Sequence, residues 1–465
     1  MTRDWKVSPP AGWKAGVTGR NFAIAGTGAE CHFLTHIIHH TMNLKLTLAL
    51  SLLCSTTLLG APGDWPQWRG PKQDGISTET GLLKEWSTNG PPLAWRIKGL
   101  GRGMSSVAIA NGRIFTQGAI KKNSQHGVFV TALNLADGKQ IWSTAITTNR
   151  DPQPNGTPTV DGPLLFAVGN DGDIACLETA TGKLVWKKNF GSDFGGKCMS
   201  GWGYSESPLV DGDRLIVVPG ATDAGIAALN KRTGELLWKS EIPNLGRKGQ
   251  DGAGYTGVII SQGAGVKQYV TLMGRGLASV RASDGKFLWG YNKIANGTAD
   301  IPTPLVKGDY IFGSSGYGDG GSALLKLSKD GDGVKAEEVY YLGAKDLQNH
   351  HGGMILLGDH IYLGHGHNNG FPTCVEFLTG KVVWGKERGP GTGSAAIVYA
   401  DGHLYFRYQD ATMALIEATP KGYNLKGSFR LASKLGESWP HPVIHDGKLY
   451  IRDQDVLLCY DVKAN

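Results

Sequence analysis

Cysteine is scarce in this chain: six residues in 465, none adjacent to another and none in a Cys-x-x-Cys pair. That spacing argues against a zinc ribbon or a thioredoxin-like dithiol, and the lack of Cys-x-x-Cys-His argues against a c-type haem. Sustained apolar runs are as rare. Leu46 to Leu59 is the one that stands out, and it is shorter than a membrane-spanning helix requires. No Gly-rich phosphate loop opens a helix and no Gly-x-Ser-x-Gly elbow occurs, so P-loop and α/β-hydrolase chemistry are not expected. Charge of one sign is lacking too. The net charge is +7, falling to +4 beyond residue 61, where 42 basic side chains face 38 acidic ones. Without a Lys/Arg-rich run or an RNA-binding aromatic pattern, nucleic acid is not an expected partner.

What the chain has in abundance is glycine, 69 residues, and one phrase built on it. Asp137-Gly138-Lys139-Gln140-Ile141-Trp142 returns as Thr181-Gly182-Lys183-Leu184-Val185-Trp186 and as Thr233-Gly234-Glu235-Leu236-Leu237-Trp238. It returns again as Asp284-Gly285-Lys286-Phe287-Leu288-Trp289 and Thr379-Gly380-Lys381-Val382-Val383-Trp384. The Trp spacings are 44, 52 and 51, then 95, which is two periods with a degenerate copy between. Strands and Gly turns repeating at this period predict an all-β propeller. First strands near residues 105, 157, 207, 256, 302, 353, 394 and 441 give eight blades of four antiparallel strands. Tyr340-Tyr341 replaces Trp in the fifth blade and Phe429 does so in the seventh. The eighth supplies only three strands, and the orphan strand around Trp95, 47 residues before Trp142, completes it. Closure of this kind leaves no raw sheet edge. Cys176, Cys374 and Cys459 share one repeat position before the turn, as strand-packed thiols would.

Residues 42–61 read as an export signal, with Lys45 as the basic end and Leu59-Gly60-Ala61 as the cleavage site. Cys54 raises lipid attachment, but Leu53 stands where a small residue is wanted. Residues 1–41 show no period and read as an upstream extension without a fold. Residues 62–92 form a lead-in, whose Trp65-Pro66-Gln67-Trp68-Arg69-Gly70-Pro71 is expected to staple the terminus to the outside of the fold. The propeller fills 93–465. The expected location is periplasmic or secreted, in a bacterial envelope, and the cleaved chain is not expected to be an integral membrane protein.

The phrase Ala-x-x-x-x-x-Thr/Asp-Gly-Lys/Glu-x-x-Trp resembles the tryptophan-docking repeat of the pyrroloquinoline-quinone (PQQ)-like superfamily of eight-bladed propellers. The resemblance runs from about residue 90 to the C terminus. That superfamily includes quinoprotein alcohol dehydrogenases and the outer-membrane assembly lipoprotein BamB. It therefore implies the fold and leaves cofactor use open. The lead-in, Asn349-His350-His351-Gly352-Gly353 and Asp453-Gln454-Asp455-Val456-Leu457-Leu458-Cys459-Tyr460 look like an exported branch. By resemblance, a PQQ dehydrogenase needs a Trp floor, a Cys-Cys ceiling, an Arg near the quinone, an Asp base and Ca2+ held by Glu, Asn and Asp. Glu206, Asn155 or Asn170, Asp300 and Arg275 are the parts this chain offers, with Asp300 the candidate catalytic residue. The Cys-Cys dipeptide is missing.

In a propeller, the loops before each first strand and after each second strand open on one face. Those loops gather Arg102, Asn155, Trp202, Tyr204, Glu206, Tyr255, Arg275, His350, His351, Arg407, Trp439, His441 and Arg452 as candidate ligand-binding residues. Four Arg and several His at a channel mouth suit an anionic or hydroxyl-rich ligand. Trp202, Tyr204, Tyr255 and Trp439 suit a flat ring or sugar face. The plainer alternative is that these groups pair with one another across a water-filled channel. His365-Gly366-His367 alternates, which puts both imidazoles on one strand face; with His350 and His351 they are candidate ligands for Zn2+ or Cu2+. Glu206 and Asn170 are the other candidate metal ligands. Asp330-Gly331-Asp332-Gly333 reads as a hairpin turn rather than a calcium loop. Three functions stay open: binding a small polar molecule, glycan or envelope protein at the channel face; a PQQ-dependent alcohol or sugar dehydrogenase; and a BamB-like assembly scaffold.

Overall fold

Short β-branched and aliphatic runs between Gly turns make strands, and the strands assort into eight four-stranded antiparallel sheets. The computed structural model describes residues 63–464 except 123–124, 149–152, 386 and 438. The extension at 1–41, the export signal at 42–61 and Cys54 lie outside the described residues. The inner strands of blades one to four are Ala108–Ala110, Thr159–Asp161, Leu209–Asp211 and Ile259–Ser261. Those of blades five to eight are Leu305–Lys307, Asn349–Leu357, Ala395–Ala400 and Val443–His445. Inner strands of neighbouring blades touch, so the sheets stand radially round a channel. The molecule is an eight-bladed β-propeller. Second and third strands such as Leu164–Val168 are buried on both faces, because a blade covers them on either side. Outer strands such as Leu184–Asn189 are largely exposed. Asp330 to Gly333 closes a hairpin between two long strands of blade five. Among the described residues no helix is long and apolar enough to cross a membrane.

Except at Trp289, whose Nε1 donates within blade four to Gln268 Oε1 at 2.7 Å, the repeated tryptophan docks on the next blade. Trp142 of blade one lies over Gly182 in the turn of blade two, where a Cβ would sit 2.6 Å from the indole. Gly182 also has φ +73°, so the position needs glycine for both space and backbone. Trp142 Nε1 donates to Thr179 O at 3.0 Å in that same neighbouring blade. Trp186 does likewise to Lys231 O at 3.0 Å, and Trp384 to Thr419 O at 2.8 Å. In blade five Tyr340 takes the part, its hydroxyl donating to Phe377 O at 2.8 Å. The free thiols Cys176, Cys374 and Cys459 are buried opposite Trp186, Trp384 and Trp95.

The N-terminal strand Leu93–Lys98 pairs antiparallel with Val456–Asp461 and completes blade eight. The closure extends beyond a strand. Gly90 lies under Phe429 of blade seven, where a Cβ would be 2.4 Å from the ring. The N-terminal segment thus supplies the eighth blade's docking turn as well as its outer strand.

The lead-in is not stapled to the outside, contrary to the sequence expectation. Trp65 bridges Ile109 of blade one, and Pro66 O accepts from Val160 N of blade two at 2.8 Å. Trp68 Nε1 donates to Thr303 Oγ1 at 3.2 Å ahead of blade five, and Ile76 pairs with Tyr399 of blade seven. Partners on opposite sides of the ring place the segment across the channel. Arg69 pins it there. This side chain, 2% exposed, donates to Gln73 O at 3.1 Å, Asp74 O and Gly352 O at 2.9 Å, and Met354 O. Carbonyl dipoles meet its fork of donors, and burial lowers its pKa only to about 10, so it stays charged at neutral pH. The physical reason for the difference is that two indoles gain more from the channel interior than from an outer surface.

Candidate functional site

Because every first strand runs along the channel in the same sense, the loops leading into those strands meet at one end. There they wall a cavity of about 340 Å3. Its lining comes from the loops leading into the inner strands of blades one to five and eight, from His351 near the start of blade six's inner strand, and from the turns carrying Asn170 and Tyr317. Trp68, from the lead-in, belongs to the same wall.

The wall is aromatic and uncharged. Trp202 and Trp439 meet edge to face with centroids 6.5 Å apart. His351 lies 4.6 Å from Trp439, and Trp68 lies 4.4 Å from His441. Tyr255 shares a 2.6 Å bond with Ser200 Oγ, which donates to Thr298 O at 2.6 Å; the tyrosine is therefore the donor in its pair. Asn155 donates to Ser205 Oγ at 2.8 Å. Asn170 donates to Trp202 O at 2.7 Å and Gln153 O at 3.3 Å, which leaves Oδ1 as its acceptor. His441 Nε2 sits 3.1 Å from the carbonyl of His351, so that nitrogen carries the proton. Burial pushes the His441 imidazole down to about 3, helped by Arg69 and Arg407. Burial and the neighbouring imidazoles of His350, His441 and His367 hold His351 well below the ordinary value. At neutral pH the wall therefore carries no imidazolium. Among the described residues, no Lys, Arg, Asp or Glu lines it.

Of the residues singled out by sequence, the cavity brings together Asn155, Asn170, Trp202, Tyr255, His351, Trp439 and His441. His350 stacks behind His351 at 3.7 Å and bonds Ser394 through Nδ1. The arginines do not form a ring round the opening. Arg407 is fully buried, donates to Pro440 O at 2.7 Å and lies 3.7 Å from Asp453. Arg452 is 1% exposed and directs its donors at Thr116, Leu100, Gly101 and Gln454. Arg275 pairs with Asp251 at a separate dimple, and Arg102 stands exposed with its backbone paired to Ala119. Tyr204 points into the blade core, its hydroxyl donating to Pro219 O at 2.9 Å.

The candidate metal and catalytic groups are also apart. Glu206 accepts from Val218 N at 2.9 Å inside blade three, and burial raises its pKa to about 8. Asp300 is fully buried on Asn296, and burial raises its carboxyl well above the usual range. Gly366, at φ +80°, ends the strand His360–His365, so His365 and His367 do not share a strand face. His365 Nδ1 accepts from Gln348 N, and His367 Nδ1 accepts from Tyr317 N at 3.3 Å. The ring of His350 stacks on His351 at 3.7 Å and lies tilted against His367 at 4.1 Å. Among the described residues, no three His, Cys, Asp or Glu side chains could hold one ion.

Sequence reading missed Trp68 as a wall residue and passed over Gln153, Ser205 and Ser207. The signal for Trp68 was present in the density of Trp65-Pro66-Gln67-Trp68-Arg69.

The comparisons with known proteins place this geometry in a lineage. The family model described as outer membrane protein assembly factor BamB matches residues 126–386. The chain belongs to that family. BamB of Burkholderia pseudomallei is 26% identical over 143 residues, 29% of this chain and 34% of that protein. BamB of Kangiella koreensis is 26% identical over 147 residues, 30% of this chain and 32% of its own length. The match thus spans about a third of these curated relatives. Among solved structures, BamB from Moraxella catarrhalis superposes with a TM-score of 0.56 at 13% identity, covering 80% of this chain and 99% of that one. A europium-containing methanol dehydrogenase gives 0.58 at 15% identity, covering 84% and 89%. The quinohemoprotein alcohol dehydrogenase of Comamonas testosteroni gives 0.58 at 14%, covering 87% and 82%. These likenesses show the fold.

PQQ is a planar quinone bearing carboxylates. The cavity offers flat aromatic faces, but among the described residues no cation lines it to meet carboxylates. Glu206, Asn155 and Asp300 do not converge on an ion position. The described residues do not fit the group.

Proposed function

We propose that the chain binds a neutral, hydroxyl-rich ligand, a small sugar or glycan, in the cavity at the loop face of the channel. One observation carries this reading: the wall combines aromatic faces with amide, hydroxyl and neutral imidazole groups and has no charged side chain among the described residues. Sugars present an apolar C–H face and a rim of hydroxyls, which such a wall complements by stacking and by hydrogen bonds of either sense. The uncharged wall favours a neutral guest over the anionic one that the scattered arginines suggest. An envelope location, after removal of an export signal at 42–61, belongs to the same reading.

A calorimetric titration of the purified protein tests it, with neutral mono- and oligosaccharides in one arm and PQQ plus Ca2+ in the other. Saturable heat with a neutral sugar is the expected result. Quinone absorbance changes and dye-linked alcohol oxidation in the PQQ arm, with no sugar binding, would replace it with the dehydrogenase reading. A second reading, a BamB-like scaffold for envelope proteins, is favoured by the family match alone.

A further inference from the structure

We infer that this site is blind and takes the end of a ligand chain, with Trp68 as the residue that sets its depth. The inference rests on the glycan-binding reading above. A propeller channel is open at both faces unless something fills it, and here the chain's own lead-in fills it. The segment from Trp65 to Ile76 touches blades one, two, six and seven and the loop before blade five. The space left around Trp65, Trp68 and Arg69 against blades one, seven and eight is about 10 Å3. That is at the lower limit for one water, so no sugar ring passes on that side, and the chamber beyond the lead-in beside blades three to five shares no lining residue with this cavity.

The closure is built to stay. Arg69 commits its guanidinium to four carbonyls, two of them on blade six, and withdrawing it would strand a buried charge and its acceptors. Trp68 is held at both ends, by its bond to Thr303 Oγ1 at 3.2 Å and by the ring of His441 at 4.4 Å. It is therefore a fixed wall rather than a flap. A guest enters from the loop face past Trp202 and Trp439, and its leading end meets the lead-in. The volume of about 340 Å3 lies near the small end for ligand pockets, which suits a short terminal segment. An internal stretch of a polymer would need an exit that the lead-in denies it.

The test uses the full chain and neutral linear oligosaccharides, from monosaccharide to hexasaccharide, of glucose, mannose, xylose, galactose and N-acetylglucosamine. Each is also supplied with a bulky cap on its reducing end or on its non-reducing end. For the sugar that binds, affinity should stop rising after the first few units. One of the two caps should weaken binding by about tenfold or more while the other is tolerated, because a clash at a closed end rejects the wrong terminus. Trp68→Ala, with melting temperature and circular dichroism checked, should blunt that discrimination, and Trp68→Phe should keep it. Affinity that climbs steadily to the hexasaccharide, or indifference to both caps in the wild-type chain, would overturn the blind site while leaving sugar binding intact. Failure of every sugar to bind would overturn the binding reading and this inference with it.

Discussion

On the loop side of the lead-in, the channel holds a chamber walled by Trp, Tyr, His, Asn and Ser. On the other side it holds one of about 450 Å3, lined by Leu209-Val210, Ile259-Ile260 and Leu305-Val306 with Lys72 and Asp74 from the lead-in. The two chambers share a channel, yet their chemistry differs because they are cut from different parts of the repeat. The aliphatic pairs stand at one register position in blades three, four and five, so that chamber is the repeat seen end on. The aromatic chamber is made mostly of loops two or more residues upstream, where no two copies agree. Structure is conserved from blade to blade inside the chain, and individuality collects at one face. That face is where a ligand can be told from its neighbours.

Breaking the wall between the chambers should have the largest effect. Arg69→Met removes a buried guanidinium from four carbonyls and is expected to cost about 3–5 kcal/mol in chemical denaturation. An unchanged midpoint would mean that the lead-in contributes nothing to the ring. Trp142→Ala should cost a similar ~3–5 kcal/mol by emptying a blade-to-blade contact, with sugar affinity unaltered in the folded fraction. Trp202→Ala is the contrast. Its ring is 53% exposed, so stability should stay within about 0.5 kcal/mol while sugar affinity falls about tenfold. Equal behaviour of the two tryptophans would erase the distinction between docking and wall residues.

Acid and base should tilt stability through different regions. His441, on the cavity wall, stays neutral in the fold down to about pH 3, against 6.5 for the ordinary group. Between those values the unfolded chain binds more protons, so stability falls as pH falls, and His441→Gln should flatten that slope. Glu206, inside blade three, is held at about 8 against an ordinary 4.5. Between those values the folded chain binds more protons, so stability falls as pH rises, and Glu206→Gln should raise the melting temperature at pH 8.5 and leave it near unchanged at pH 4. The smallest effect belongs to the aliphatic chamber: Val210→Thr should leave sugar affinity unmoved in the same titration.

The fold was legible in the chain because most docking tryptophans land on a glycine turn of the next blade, and the two leave a fixed spacing. Where Trp is replaced, Tyr340 and Phe429 were read as its substitutes, but the glycine under Phe429 was not. Phe429 over Gly90 closes the ring without a shared phrase, since its two halves lie at opposite ends of the sequence. The site was legible as a set of loops, and less so as a set of side chains. Sequence position brings Arg407 and Arg452 to the loop face, but both lie at the ends of inward strands and turn into the protein to satisfy backbone carbonyls. Gly366 takes a left-handed conformation that no alternation rule foresees, and it separates His365 from His367. Trp68 was visible as part of a Trp-rich segment, but its place was not: nothing local says that a segment before the first blade crosses the channel between blades far apart in sequence.

Tryptophan fluorescence gives the most direct measurement, because Trp68, Trp202 and Trp439 all stand on the proposed wall. Titrating the wild-type chain and a Trp202→Ala/Trp439→Ala variant with the neutral oligosaccharide panel should give a saturable change in the first and none in the second, with both proteins melting alike. No response in the wild-type chain, or an identical response in the variant, would contradict a sugar site at the loop face.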